Sequence, residues 1–306
     1  GDEMDKNLQM FKAYDLRVKS DLLDQDCLDK LADSICKYYI ECVKVKSVVI
    51  ARDARNFGAK IMEALIRTFI SCGIDVFVNT SPISTCHFYY ICMCHRDSGG
   101  IMITASHNPA NYIVCKFGST NVTPIAFGYG PECGISKIKE FYRKDEVPSK
   151  AEKQGKFFYA DLSKEYVEYS MKLANVKEGD FKGLKVLGEF FHGTGASYFA
   201  KAMEIAGATF TLSHPIPDTT FPVGDPNPLI ETSMAPAREL MKKGDFDLGF
   251  CFDGDADRID LMYGDGIQII PGLNMSIIGS LIKKIYEPLF GNNIHFYSDV
   301  KAVPMA

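Results

Sequence analysis

Asp253, Asp255 and Asp257 alternate in the stretch FDGDADR, Phe252 to Arg258, directly after the apolar run FDLGFCF and ahead of the short strand-like run IDLMY. Three carboxylates this close on a tight turn repel one another unless a cation lies between them. A hard divalent ion that takes oxygen ligands, Mg²⁺ by preference, is the simplest reading. A lone DxD is more often a solvated turn, but a third aspartate and a buried strand ahead of it favour a metal loop. An EF-hand would need glycine at the sixth loop position and glutamate at the twelfth; Arg258 and Gly264 stand there and exclude it. A phosphatase using Asp253 as nucleophile and Asp255 as acid/base after a similar strand stays open on this local pattern.

A second stretch, IMITASHNP, delivers a serine, a histidine and an asparagine from a run of buried character. Ile101 to Thr104 reads as a strand covered on both faces, and Pro109 ends ladder pairing, which places Ser106 and His107 on a loop past a strand end. In a sheet with helices on both faces, ligands are held at such loops. A serine-hydrolase reading fails, because adjacent Ser and His do not present nucleophile and base to each other and no GxSxG elbow exists. A phosphorylated Ser106 fits better. Its dianion would supply the oxygen that a Mg²⁺ held by three aspartates still lacks, and the metal would stabilise phosphoryl transfer to and from it. The plain alternative is a loop serine bonding its own backbone.

The elements around these loops alternate between strand and helix. SVVIA predicts a strand, RDARNFG a loop, Ala59 to Cys72 a helix and IDVFV a second strand, a β-loop-α-β unit. CHFYYICMC predicts a helix before the strand that leads to Ser106. The charged, aperiodic stretch from Tyr142 to Lys156 suits a linker. Beyond it come a helix over Asp161 to Asn175, the strand LKVLGEF, the turn HGTG, a helix over Ser197 to Ala206, the strand ATFTLS, the Pro-rich stretch PIPDTTFPVGDPNP, the helix APARELMKK and the strand that ends at Asp253. A further helix over Met275 to Tyr286 and the strand NIHFYSDV follow. The expected class is therefore α/β, in successive three-layer αβα domains with mixed sheets. Residues 1–150 form a first domain with the serine loop, 151–265 a second with the metal loop, and 266–306 the incomplete start of a third.

With 46% hydrophobic residues among 306 the chain can build real cores, and a net charge of -5 without a long basic tract argues against nucleic acid as the main partner. A small molecule is expected instead. No apolar run approaches the ~20 residues needed to span a bilayer, and the start GDEMDKN lacks the basic and apolar regions of a signal peptide, so no membrane partner and a cytoplasmic location are expected. The ten cysteines form no CxxC pair, and Cys36, Cys42, Cys72, Cys92 and Cys94 fall in apolar segments, which reads as buried free thiols. His87, His95, His192, His214 and His295 carry no ligand spacing and read as structural.

TASHNP together with FDGDADR resembles the α-D-phosphohexomutase family, and FKAYDLR, Phe11 to Arg17, is similar to the opening motif of its phosphomannomutase/phosphoglucomutase branch. The resemblance implies a reversible shift of phosphate between the 1 and 6 hydroxyls of a hexose, mannose or glucose, through a hexose 1,6-bisphosphate intermediate. It implies that Ser106 is the phosphoserine and contributes to the site of one Mg²⁺ ion with Asp253, Asp255 and Asp257. Lys116 matches the family lysine after the serine loop, as general acid/base or as stabiliser of transferred charge. Arg258 would bind phosphate oxygens or hold the serine loop, and His107 would shape that loop. Tyr14 and Arg17 match early substrate-contacting residues, ARDAR (Ala51 to Arg55) resembles the family's GRDxR loop, and Lys301 in SDVKA matches a lysine that reaches substrate from the third domain.

Lys12, Val18 and Gly224 stand where the family commonly has arginine, glycine and histidine, and two larger departures bear on the site. Ile113 and Val114 stand where a polar residue and glycine usually precede the lysine, a change expected to stiffen a turn and displace Lys116. The family's sugar-selecting loop and its distal phosphate loop have no counterpart in these residues, so the chain is expected to be a piece of a longer mutase, or its relic, that binds sugar phosphate weakly by itself. The oligomeric state is not set by the sequence.

Overall fold

The computed structural model describes residues 6–269 and scattered positions between 280 and 291. The expected helix over 275–286, the strand NIHFYSDV and Lys301 lie outside the fully described span.

The first sheet contains β1 (Leu16–Lys19), β2 (Ser47–Arg52), β3 (Asp75–Val78), β4 (Gly99–Thr104), β5 (Tyr112–Ser119), β6 (Thr123–Ile125) and β7 (Phe157–Tyr159). Its order is β1-β5-β4-β2-β3-β7, with β6 beside β5. Strands β4, β2, β3 and β7 run parallel, while β5 is antiparallel to β1, β4 and β6, so the sheet is mixed. Alternation along β2 assigns its two faces. Val48 and Ile50 join the core under α1 (Gln25–Tyr38), α2 (Asn56–Ser71) and later helix residues Ile138 and Phe141, whereas Val49 and Ala51 join Phe88, Ile91 and Cys92 on the opposite face. Those last residues belong to α3 (Thr85–Cys94), whose N-terminus is capped by the Ser84 side chain accepting from the His87 N–H at 3.1 Å. Helix α4 (Ile135–Arg143) carries Ile138 and Phe141.

The second unit repeats the plan. Helix α5 (Ser163–Leu173) leads into β8 (Lys185–Glu189), α6 (Ala196–Ala206), β9 (Thr209–Ser213), α7 (Glu231–Gly244), β10 (Leu248–Phe252), β11 (Ile259–Tyr263) and β12 (Ile267–Gln268). The sheet order is β12-β11-β10-β8-β9, with β10, β8 and β9 parallel and β11 antiparallel to its neighbours. Leu187, Cys251 and Met262 pack on Met234, Ala237 and Met241 of α7, and Val186 packs with Ala196 and Phe199 of α6 on the other face. Both units are thus three-layer αβα with mixed sheets.

Three expectations change. The linker expected over 142–156 begins inside α4, and residues 157–159, placed beyond the boundary at 150, pair in parallel with β3 and extend the first sheet. Ile113 and Val114 form no turn: they lie in β5, 0% and 2% exposed, paired with β1 and β4, where β-branched residues belong. Of the five cysteines read as buried, Cys36, Cys42 and Cys92 are, while Cys72 is half-buried and Cys94 exposed. No helix among the described residues is long and apolar enough to cross a membrane.

Candidate active site

The C-terminal ends of β2 and β4 in the first sheet meet the C-terminal end of β10 in the second. Ser106, two residues past β4, has φ +52, a conformation that side chains rarely adopt. It is held there from several sides. Its N–H donates to Thr104 Oγ1 at 2.9 Å, and Thr104 Oγ1 in turn donates to Asp53 Oδ2 at 2.7 Å. Arg55, fully buried beside Asp53, donates to the carbonyl oxygens of Ser106 (3.2 Å), Asn108 and Pro109. The ARDAR loop is therefore the clamp on the serine loop, and the Phe221 ring from the second unit's Pro-rich stretch lies 5.1 Å from the Arg55 guanidinium.

Ser106 Oγ donates to Asp253 Oδ2 at 2.8 Å. The Arg258 backbone N–H donates to Asp253 Oδ1 at 3.0 Å, closing the metal loop on itself. Asp253, Asp255 and Asp257 each offer a carboxylate oxygen, all within 4.8 Å of one another. Burial and the charges of Asp255 and Asp257 push the Asp253 carboxyl well above the ordinary carboxylate range. Burial acts against ionisation of Asp255 too, but the Lys116 ammonium and hydrogen bonds outweigh it and hold that carboxyl below the usual range. Asp255 Oδ1 is buried and has no hydrogen-bond partner among the described residues. A buried, unpartnered carboxylate oxygen among three crowded aspartates is what an oxygen-loving divalent cation satisfies, so the donor set fits Mg²⁺.

Strand β5 delivers Lys116 to this cluster: Nζ lies 3.5 Å from Asp255 Oδ2 and 3.3 Å from Asp257 Oδ2. Ile113 and Val114 precede Lys116 in the same strand and do not keep its ammonium from the two aspartates. Burial opposes protonation of Lys116, but the two aspartates win and hold its ammonium above the ordinary lysine range. His107 is half-buried, its Nδ1 unpartnered among the described residues, and burial with the nearby charges of Arg258 and Arg17 keeps it below the ordinary histidine range. The Arg258 side chain is exposed beside the loop. Arg17, on β1, pairs with Asp15 at 3.1 Å, and Tyr14 stands 81% exposed; among the described contacts neither touches the triad.

Thr85 was not singled out from the sequence. Its hydroxyl donates to Asp255 Oδ2 at 2.6 Å, across a sequence separation of 170. No local pattern marks such a residue, because only packing of α3 against the second unit makes it a neighbour of the triad.

Comparison with known proteins gives the family. Residues 8–127 match the model for phosphoglucomutase/phosphomannomutase alpha/beta/alpha domain I, and residues 164–266 match that for domain II. The chain belongs to the phosphoglucomutase/phosphomannomutase family. Within the family, it is 30% identical over 288 residues to the phosphomannomutase of Escherichia coli K12, covering 92% of this chain and 60% of that one. It is 28% identical over 265 residues to a phosphoglucomutase of Neisseria meningitidis, covering 86% of this chain and 54% of that one. The chain thus spans somewhat over half the length of these relatives. A family protein from Burkholderia thailandensis superposes with TM-score 0.76 at 22% identity, over 91% of this chain and 59% of its own. Parafusin, a phosphoglucomutase from Paramecium, does so with TM-score 0.72 at 20% identity, over 89% and 55%. These two likenesses concern the fold.

Proposed function

We propose that this chain carries the phosphoserine and metal halves of a phosphohexomutase site, acting on mannose or glucose phosphate. The observation that supports it most is the 2.8 Å hydrogen bond from Ser106 Oγ to Asp253 Oδ2, which sets the serine oxygen against the carboxylate cluster. Ser106 accepts a phosphoryl group from a hexose 1,6-bisphosphate: the bond from phosphorus to the sugar oxygen breaks, the bond to Oγ forms, the Ser106 hydroxyl loses its proton as the sugar oxygen takes one up, and a hexose monophosphate leaves. In the reverse sense phospho-Ser106 donates to the 1 or 6 hydroxyl of a bound monophosphate, so that the bisphosphate is the intermediate between the two isomers. Asp253, Asp255, Asp257 and the phosphoserine would hold Mg²⁺, which would supply neutralising charge for the transfer.

The residues of the chain do the remainder. Lys116, kept protonated by Asp255 and Asp257, is placed to give a proton to the departing sugar oxygen or to balance charge on the transferred group. Asp53 and Arg55 hold the serine loop in its left-handed conformation, so little reorganisation remains for the reactive step. Arg17 and Arg258 carry positive charge beside His107 and suit the phosphates of the sugar.

The test is intact mass followed by peptide mapping after incubation with Mg²⁺ and glucose 1,6-bisphosphate. This reads only the half-reaction at Ser106. A stable phosphate on Ser106 is expected. A phosphate on Asp253, labile to acid and base, would place the chain among aspartate-nucleophile phosphatases. No phosphate on either residue would leave a chain that keeps the fold without the reaction.

A further inference from the structure

The first turn of α3 belongs to the first unit but makes polar contacts with Tyr198 and Asp255 of the second. The Ser84 N–H donates to the Tyr198 hydroxyl at 3.3 Å. His87 Nδ1 lies 2.8 Å from the same hydroxyl, and His87 Nε2 accepts from the Leu162 N–H at 3.1 Å. Between them Thr85 grips Asp255 at two points. Its N–H donates to the Asp255 carbonyl at 3.0 Å, and its hydroxyl donates to Asp255 Oδ2 at 2.6 Å.

The two grips have different consequences. The backbone bond ties the metal loop to the start of α3, where the helix dipole also favours a negative charge. The hydroxyl bond settles the rotation of one carboxylate. Oδ2 receives Thr85 and faces Lys116 at 3.5 Å, which leaves Oδ1 as the buried oxygen without a partner among the described residues. A β-branched side chain suits this task, since its χ1 is stiff and the residue is almost fully buried. Aspartate has few torsions, and with Oδ2 fixed a cation meets a carboxylate already turned to one orientation.

We infer that Thr85 is a positioning residue for the metal loop, presenting Asp255 Oδ1 to a divalent cation from across the boundary between the two units. The inference rests on the reading of the triad as a cation site. Partners one step removed from a metal, hydrogen-bonded to its ligands, commonly change affinity 10–100-fold when removed. Thr85 stands one step removed in this way, and it does so from the other unit.

The test is titration of the whole chain with Mn²⁺, comparing wild type, T85V, T85S and S84A, with thermal unfolding of each in the absence of metal. T85V removes the hydroxyl while keeping the shape; T85S keeps the donor. Mn²⁺ binding by T85V is expected to weaken about 10–100-fold, with T85S restored to within a few-fold of wild type. S84A, which disturbs the same helix turn without touching Asp255, is expected to lower the unfolding midpoint and leave Mn²⁺ affinity unchanged. Should T85V not fold, T85C makes the same comparison, since a thiol is a weak donor. Wild-type affinity in T85V, even with a lowered midpoint, would reduce Thr85 to a structural contact and overturn the inference. Equal losses in S84A and T85V would overturn it too, assigning the effect to the junction as a whole. A wild-type chain that binds no Mn²⁺ would instead refute the triad as a cation site, and the inference with it.

Discussion

Gly254 lies against Ser106: a Cβ on Gly254 would stand 2.6 Å from the Ser106 carbonyl oxygen and 3.0 Å from Pro226 Cγ. The metal loop and the serine loop therefore touch through backbone at the point where only glycine fits. G254A is expected to push the loops apart, costing about 1–3 kcal/mol of stability by overpacking. It should also slow phosphorylation of Ser106 by glucose 1,6-bisphosphate. Thermal unfolding and the phosphorylation time course check both effects. An unchanged rate would show that the two loops need not touch.

Arg55 and Asp53 are both buried, with Nε 3.6 Å from Oδ2, and Arg55 also serves three carbonyl oxygens of the serine loop. R55A leaves three carbonyls without their donor and a buried carboxylate without its counter-charge, and should cost about 3–5 kcal/mol in denaturant unfolding. R55K keeps the charge but not the planar fork, so it is expected to fall between wild type and R55A in stability while still slowing Ser106 phosphorylation. R55K indistinguishable from wild type in both readouts would mean that charge alone holds the loop.

His87 is a buried histidine whose burial has a pH consequence. Burial pushes it down from 6.5 to about 4, against weaker opposing pulls from Asp161 and Glu165. Above 6.5 both folded and unfolded states are neutral there and its contribution is complete. As pH falls from 6.5 towards 4 the unfolded chain takes up a proton that the folded chain refuses, so stability declines across that window and the loss levels off below it. The loss is on the order of a few kcal/mol. H87Q, which cannot titrate, should flatten this part of a stability-against-pH curve measured by urea unfolding. A curve that keeps the same slope in H87Q would assign the acid limb to other groups.

Lys116 sits 3.3 and 3.5 Å from two of the three aspartates, so it competes with a cation for their charge while serving the phosphoryl group. K116M should bind Mn²⁺ several-fold more tightly, because a positive charge leaves the cluster. Phosphorylation of Ser106 should fall about 100-fold or more in the same variant, through loss of the proton donor or charge stabiliser. Weaker Mn²⁺ binding in K116M would show that Lys116 chiefly organises the aspartates.

Much of this site follows from local pattern. The apolar runs that become β4 and β10 end abruptly in TASHNP and DGDADR, and a buried strand followed by a polar loop is visible in a single stretch of chain. Three aspartates at alternate positions already make a cation the simplest expectation, because their crowding is visible in the sequence itself. The alternation of strand and helix likewise shows two αβα units before any contact is known. Tertiary structure decided the rest. Ile113 and Val114 look like a stiffened turn in isolation and become a strand because β1 and β4 flank them on either side. Phe157 to Tyr159 looks like the start of the second unit and joins the first sheet because β3 offers a free edge. Ser106 meets Asp253 across 147 positions and Thr85 meets Asp255 across 170. Periodicity records which face of an element is buried, but it carries no information about which other element covers that face, and it is that choice of partner that assembles the clamp, the lysine and the threonine around one cluster of carboxylates.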